Sequence, residues 1–213
     1  MSSHAPAHPA ALADLAAPST VVHKFGGTSV ASAERYRHVA GLLLARAEPL
    51  QVTVVSAMKG VTDALIELAQ LAARGDAGWR EAWHALRARH RGAAVALLGE
   101  QVGETVEWID VRFDQLAEVL GALAVIGELP REVLDRVQGL GEVFSAQLLG
   151  THLQALGEDC AVLDARDAPV VGHGELGFDV DWEASADRLA QWRRQHPQSP
   201  VVATRFFPSH RAA

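Results

Sequence analysis

The sequence predicts an α/β protein, with three layers in which a mainly parallel sheet lies between helices. A short apolar strand, Val21 to Phe25, stops at two glycines and is followed by a helical apolar pattern. The same strand, loop and helix order recurs from Gln51 to about Arg74. Two such units in succession imply parallel strands with helices on the faces of the sheet, and ligands bind at the carboxyl ends of such strands.

Composition limits the partners and the compartment. The chain has 213 residues, 49% of them hydrophobic, which suits one large core or a large lobe of a bigger protein. A net charge of −7 argues against nucleic acid or an anionic membrane as the main partner. The single cysteine, Cys160, excludes an internal disulfide and suits a reducing compartment, so we expect a cytoplasmic protein. No apolar run reaches the roughly 18 residues of a membrane span, so no membrane partner is expected.

The end of the first strand carries the features of an anion site. Helix N-termini present unpaired N–H groups, and glycines let a phosphate oxygen approach the backbone. In the phosphate-binding loop of P-loop proteins the lysine follows the glycines, whereas here Lys24 precedes Gly26 and Gly27. The simpler alternative is a glycine turn that only joins strand to helix.

The segments between these motifs predict mostly helices. A helix capped by Ser32 runs to about Ala47. Two long amphipathic helices fill the stretch from Asp76 to Gly127, with core stripes at Trp79, Trp83 and Leu86 and at Ile109, Phe113, Leu116, Leu120 and Leu123. The basic cluster Arg87, Arg89, His90 and Arg91 is interpreted as a solvated helix end, and the ten scattered histidines as solvated side chains and not metal ligands.

The rest of the chain predicts two helices followed by strand signals. Pro130 opens a helix, and Gln138 to Ser145 leads into a second one that ends near Leu156, so that Glu142 stands at a helix start after two glycines. Further expected elements are a strand at 160–163, a hairpin through 172–177, a helix from Trp182 to about Arg194 with Trp182, Ala186, Leu189 and Trp192 inward, and a strand at 201–204.

Two polar residues, Glu142 and Thr62, stand near the glycines of these segments. A carboxylate at the position of Glu142 suits a cationic group, although the helix dipole alone would also favour an acid there. Thr62 follows the second strand and its loop, and this position alone suggests a helix N-cap.

Three segments together resemble the amino acid kinase family, and within it the aspartate kinases. They are Lys24-Phe25-Gly26-Gly27-Thr28-Ser29, the loop Ser56-Ala57-Met58-Lys59-Gly60-Val61-Thr62, and Gly141-Glu142 with the nearby Ser145. The resemblance runs from Val21 to Thr204 and looks closest to aspartate kinases fused to a second enzyme, such as diaminopimelate decarboxylase or homoserine dehydrogenase.

The resemblance implies ATP-dependent phosphorylation of the L-aspartate side chain to 4-phospho-L-aspartate, the first step of lysine, threonine and methionine biosynthesis. Lys24 would then be catalytic, and residues 24–29 would bind the phosphates of ATP, accompanied by Mg²⁺ that the phosphates hold. No protein metal ligands are expected. The residues expected to bind the amino acid are Ser56, Thr62, Glu142 and Phe206.

Other readings of the same motifs stay open. The chain could be another kinase of the family that acts on glutamate, acetylglutamate or a nucleotide, or a non-catalytic protein that binds an amino acid or a kinase subunit. A completed chain is expected to form a homo-oligomer.

The expected division of the chain is a flexible tail at 1–20, an incomplete amino acid kinase domain with the acceptor-binding lobe at 21–204, and a tail that does not match the family at 205–213. After Thr204 the family continues with Gly-Phe-Ile and a Gly-Arg-Gly-Ser-Asp type loop, of which only Phe206 remains. We therefore expect a C-terminally truncated and inactive fragment with a tendency to self-associate, explained by a shifted reading frame or an interrupted gene.

Overall fold

A computed structural model describes residues 20–46, 50–168, 170–174, 177–197 and 200–204. The strands in these ranges are β1 (Thr20–Phe25), β2 (Leu50–Val55), β3 (Ala161–Leu163), β4 (Val170–Gly174), β5 (Gly177–Asp181) and β6 (Val201–Thr204). The helices are α1 (Ala33–Leu44), α2 (Val61–Ala73), α3 (Trp79–Leu98), α4 (Gly103–Ile126), α5 (Arg131–Ala155) and α6 (Trp182–Gln195), with a 3₁₀ turn at Gly99–Val102.

The main sheet has the strand order β1-β2-β6-β3, and all its described pairings are parallel. Phe25 pairs with Val55, and Val55 pairs with Thr204, so three strands end at the same level. Strands β4 and β5 form a separate antiparallel hairpin. The parallel sheet predicted from the repeated strand–loop–helix units is confirmed.

Helices cover both faces of the sheet, as the predicted three-layer fold requires. On one face α5 contacts β2, β3 and β6. The approach is close, because a Cβ added to Gly150 of α5 would lie 2.2 Å from a methyl carbon of Val162. On the other face Trp192 of α6 packs against a small core of Ala161, Leu163, Ala168, Val201 and Ala203. Alternate residues of β2, β3 and β6 therefore enter different cores.

A helical lobe made of α2, α3, α4 and α5 adjoins the first face, with α2 in contact with the other three. The core stripes predicted for α3 and α4 are confirmed, since all eight of those residues are buried. Among the described residues, no helix is both long enough and apolar enough to cross a membrane.

The basic cluster on α3 is not the solvated helix end that its charge suggested. His90 is fully buried against Phe113 and Phe144, and its Nδ1 atom lies 2.8 Å from the Leu86 carbonyl oxygen. Burial lowers the pKa of His90 to about 4. Arg87 and Arg91 both pair with Asp110 of α4. The cluster lies inside α3, where its side chains join the helix to its neighbours.

The predicted helix start near Glu142 is also wrong, because α5 runs without interruption from Arg131 to Ala155. A glycine inside a helix costs about 1 kcal/mol relative to alanine, which tertiary packing easily offsets. Gly139 and Gly141 are buried in this helix, so they permit close packing and do not break it. The predicted end is confirmed, since Gly157 follows with a φ of +95°.

Two further expectations about helices need correction. Helix α1 begins after the Ser32 cap as predicted but ends at Leu44, and Ala47 lies outside the described residues. Asp181 caps α6 by accepting a 2.9 Å bond from Ala184 N, but Trp182, which was expected to face inward, is 77% exposed.

The inward face predicted for α6 is wrong apart from Trp192. Ala186 and Leu189 are exposed like Trp182, and only Trp192 of the four is partly buried against the sheet. An apolar stripe on a helix is buried only where another surface covers it. In the described part of the chain, Trp192 is the residue of α6 that packs against the core of the sheet.

Candidate active site

The first loop begins where β1 ends at Phe25. Its turn is closed by a 2.8 Å hydrogen bond from Ser29 N to the Gly26 carbonyl oxygen. Lys24, the residue before the strand end, is exposed, and so is Thr28. The turn therefore presents an ammonium group and a hydroxyl at the carboxyl edge of the sheet, where a parallel sheet binds ligands.

Gly27 is the glycine on which the arrangement of the two loops depends. A Cβ at this position would lie 2.8 Å from the Ala57 carbonyl oxygen, closer than carbon and oxygen can pack. The Gly27 carbonyl oxygen also accepts a 3.1 Å bond from Lys59 N. By contrast, a Cβ at Gly26 would meet nothing within 4 Å. The second glycine lets the two loops touch, and the first has open space beside its Cα atom.

The second loop is fixed to β1 at its start. Ser56 N donates a 3.0 Å hydrogen bond to the Phe25 carbonyl oxygen, and Ser56 is half-buried. The N-cap of α2 is Gly60, with a φ of +78°, and no side chain caps this helix. The N-cap alternative for Thr62 is therefore wrong. Thr62 lies in the first turn of α2 with a half-buried side chain.

Helix α5 brings the third motif to the second loop. A Cβ added to Gly141 would lie 2.7 Å from the Cβ of Ala57 and 3.1 Å from a methyl carbon of Val61. The backbone beside Glu142 is therefore in contact with this loop. Glu142 itself is 2% exposed and lies in the middle of α5, where the dipole of a helix start does not act. Dipole stabilisation thus does not explain a buried carboxylate here.

Behind Glu142, α5 is tied to α1. The hydroxyl oxygens of Tyr36 and Ser145 lie 2.8 Å apart, and both residues are fully buried. Burial raises the pKa of the Tyr36 phenol well above its ordinary value, so the phenol stays neutral. This bond joins the third motif to α1, the helix that follows the first loop.

The ends of β3 and β6 extend the same edge of the sheet. Thr204 is buried, and its hydroxyl oxygen accepts a 2.8 Å bond from Ala165 N. Asp164 and Arg166, which follow β3, form an ion pair in which Arg166 Nε lies 2.9 Å from a carboxylate oxygen. The sequence predicted the strand at 160–163 but assigned no contacts to the residues that follow it.

The structure thus brings together the segments 24–29, 56–62 and 141–145 at one edge of the sheet. Phe206, the remaining expected substrate-binding residue, lies outside the described residues, as does the rest of 205–213. Within the described ranges, no group of three or more His, Cys, Asp or Glu side chains could hold a metal ion.

One contact of the second loop was not anticipated. Arg89 of α3 donates a 2.8 Å hydrogen bond from Nη2 to the Lys59 carbonyl oxygen. No local pattern could have indicated it, because it depends on how α3 crosses the loop. Burial of His90, in contrast, was predictable, because it continues the spacing of Trp79, Trp83 and Leu86 along the helix.

Comparison with known proteins finds one family model and several relatives of the same kind. The family model described as "Amino acid kinase family" matches residues 19–207. The bifunctional aspartokinase/homoserine dehydrogenase 1 of Arabidopsis thaliana chloroplasts is 34% identical over 193 residues, which are 90% of this chain and 21% of the relative. The bifunctional aspartokinase/homoserine dehydrogenase 2 of Escherichia coli is 30% identical over 94% of this chain and 24% of the relative.

A solved structure agrees with these relatives. Aspartokinase III of E. coli, crystallised with aspartate and ADP, superposes with a TM-score of 0.74 at 25% identity and covers 87% of this chain. The match extends over 40% of that structure. The chain therefore spans about a fifth to a quarter of the curated relatives named here and less than half of the solved structure.

Proposed function

Because this chain belongs to the amino acid kinase family, we propose that it is the amino-acid-binding part of an aspartate kinase. The complete enzyme would transfer the γ-phosphoryl group of ATP to the side-chain carboxylate of L-aspartate and release 4-phospho-L-aspartate. The observation that carries the proposal is the hydrogen-bonded contact between the two loops at Gly27 and Lys59, with Gly141 of α5 packed against the second loop. The relatives named for aspartokinase activity support aspartate as the acceptor.

The chemistry requires positioning and charge neutralisation more than covalent help from the protein. The side-chain carboxylate of aspartate has a reference pKa near 3.9 and is ionised at neutral pH, so it can attack without a general base. Lys24 would neutralise charge on the transferring phosphoryl group, and the backbone of 25–29 would receive the phosphates. An exposed lysine in the last two residues of a strand is free to reach a phosphate.

Glu142 and the second loop would hold the amino acid. The Glu142 carboxylate would pair with the substrate ammonium group, since a buried carboxylate is stabilised by a positive partner. Ser56 and Thr62 are half-buried hydroxyl groups at the two ends of the second loop and would orient the substrate. We also propose that Phe206, which follows β6, contributes to this subsite.

Among the described residues, no three His, Cys, Asp or Glu side chains are grouped so that they could hold a metal ion. Mg²⁺ would enter with ATP, bound to its phosphates, and no step here depends on protein ligation of the metal.

Several broader features belong to the same proposal. Residues 21–204 would form the acceptor-binding lobe, and the complete enzyme would be a homo-oligomer that supplies lysine, threonine and methionine biosynthesis. The single buried cysteine supports a reducing compartment such as the cytoplasm.

The test uses a chain extended beyond Thr204 with the corresponding part of a related aspartokinase. ADP release is followed by a coupled assay with L-aspartate, glutamate or acetylglutamate as the acceptor. We expect turnover with aspartate that exceeds turnover with the other two by at least about a hundredfold. Equal or greater turnover with glutamate or acetylglutamate would refute aspartate as the substrate.

The chain of 213 residues is the second sample in this assay. We expect no ATP-dependent phosphorylation of aspartate above background, because alignment of both reactants supplies several kcal/mol of the barrier reduction in phosphoryl transfer. Turnover at an ordinary kinase rate of about 1 to 100 per second would contradict the assignment of this chain to the acceptor side alone.

A further inference from the structure

Arg89 reaches from the helical lobe to the second loop of the site. Its Nη2 atom donates a 2.8 Å hydrogen bond to the carbonyl oxygen of Lys59, thirty positions earlier in the chain. Arg89 is exposed, so the guanidinium group lies at the surface over this loop. The bond joins an ionised donor to a backbone acceptor, and such bonds are stronger than bonds between neutral groups.

Lys59 is the residue at which the two loops and α3 meet. Its N–H group donates to the Gly27 carbonyl oxygen at 3.1 Å, while its carbonyl oxygen accepts from Arg89. Gly60 follows in the left-handed conformation, and Val61 N then closes a turn on the Met58 carbonyl oxygen at 2.9 Å. The backbone of Lys59 is thus held from two opposite sides immediately before α2 begins.

The two neighbouring arginines of α3 are directed elsewhere. Arg87 donates a 2.9 Å hydrogen bond to the carboxylate of Asp110 on α4, and Arg91 pairs with the other oxygen of that carboxylate. These hydrogen bonds lower the pKa of Asp110, with the bond from Arg87 the largest cause. Of these three arginines, Arg89 is the one that contacts the loop, and Arg91 provides a matched control on the same helix.

We propose that Arg89 is a positioning residue that holds the second loop in register with the first. By fixing Lys59 it would keep Ser56 and Thr62, at the two ends of the loop, in the arrangement that an amino acid substrate requires. The effect on substrate binding rests on the proposed function. The clamp itself, which is the hydrogen bond from Arg89 to the Lys59 carbonyl oxygen, is a property of this chain alone. Lysine could supply a donor at this position, though without the planar fork of arginine.

The clamp is tested by hydrogen–deuterium exchange and mass spectrometry on the 213-residue chain. We expect peptides covering 56–62 to exchange about fivefold faster in Arg89→Ala than in the wild type, whereas peptides from α3 and β2 stay unchanged. Arg89→Lys should restore part of the protection, and Arg91→Ala should leave exchange at 56–62 unchanged. Wild-type exchange at 56–62 in Arg89→Ala would overturn the proposal.

Binding provides the second readout. We expect calorimetry to show about fivefold weaker binding of L-aspartate to Arg89→Ala, with partial recovery in Arg89→Lys. The melting temperature should fall by no more than about 4 °C, as expected for the loss of about 1 kcal/mol, the equivalent of a fivefold change. Faster loop exchange with unaltered aspartate affinity would overturn the positioning role. If the wild-type chain binds no aspartate, the proposed function fails in this chain, and the exchange experiment still decides whether Arg89 holds the loop.

Discussion

The hydroxyl groups of Tyr36 and Ser145 form a 2.8 Å hydrogen bond inside the core, where both residues are fully buried. The bond joins α1 to α5 one helical turn from Glu142. It therefore connects the helix after the first loop to the helix that carries the third motif, and its loss has measurable consequences.

Tyr36→Phe should lower the free energy of unfolding by about 1 to 3 kcal/mol, because the Ser145 hydroxyl would lose its partner in the core. Urea denaturation measures the change. The double variant Tyr36→Phe with Ser145→Ala removes both hydroxyls and should lose less than the sum of the two single variants. Strictly additive losses would show that the hydroxyl bond contributes no coupling energy.

Gly141→Ala should destabilise the protein by about 1 to 3 kcal/mol, the usual cost of overpacking a filled core. The reason is that the added Cβ would lie 2.7 Å from the Cβ of Ala57. Gly92→Ala is the matched control, since Gly92 lies inside α3 and a Cβ there would meet nothing within 4 Å. The control should gain up to about 1 kcal/mol through helix propensity. Stabilisation by both substitutions would contradict the close contact between α5 and the second loop.

Stability should fall on acidification because of His90. Burial lowers the pKa of His90 in the folded protein to about 4, below its ordinary 6.5. Between these values the unfolded chain binds more protons than the folded one, so the free energy of unfolding decreases as the pH falls. Between pH 7 and pH 4.5 the wild type should lose about 2 kcal/mol more than His90→Phe, measured by urea denaturation at both pH values. The same loss in both proteins would exclude His90 as the cause.

Lys24→Ala in the extended enzyme should reduce turnover by at least about two orders of magnitude, as the loss of a charge-stabilising group does in other enzymes. The fold should be unaffected, because Lys24 is exposed and contributes little packing. Steady-state kinetics with aspartate measure the effect. Lys59→Ala serves as the control, because Lys59 is also an exposed lysine but contacts the first loop through its backbone. Near-normal turnover in Lys24→Ala would remove its catalytic role.

Glu142→Gln should weaken binding of L-aspartate at least about tenfold and leave ATP binding nearly unchanged, because only the amino acid loses a counter-charge. Calorimetry on the extended enzyme with each ligand measures both affinities. Equal losses for the two ligands would indicate structural damage around the buried carboxylate.

Elements with a strong local period were predictable from sequence. The apolar stripes of α3 and α4 predict burial through their spacing alone, and all eight residues of these stripes are buried. Gly141 shows the limit of this reasoning. A glycine pair beside an acid is typical of a helix start, yet the contact with Ala57 decides the outcome, and that contact is not visible in any local pattern.

In the candidate site, too, the contiguous motifs were predictable and the long-range contacts were not. Segments 24–29 and 56–62 were predictable because each is a contiguous motif after a strand. The link from Arg89 to Lys59 was not, because it joins residues that only the packing of α3 brings together. Trp182 of α6 illustrates the converse error, since its spacing indicated burial and its side chain is 77% exposed.

The strand order has a consequence for how the molecule assembles. Strand β6 is the last described strand in the chain, yet Val201 pairs with both Val52 of β2 and Ala161 of β3. Among the described strands, β2 and β3 are not hydrogen-bonded to each other. The main sheet is therefore continuous only when β6 lies between them. During synthesis the helical lobe from α2 to α5 can form from local contacts before 201–204 leave the ribosome, whereas pairing over such sequence distances is slow. The insertion of four residues is therefore the step that joins β3 to the rest of the main sheet.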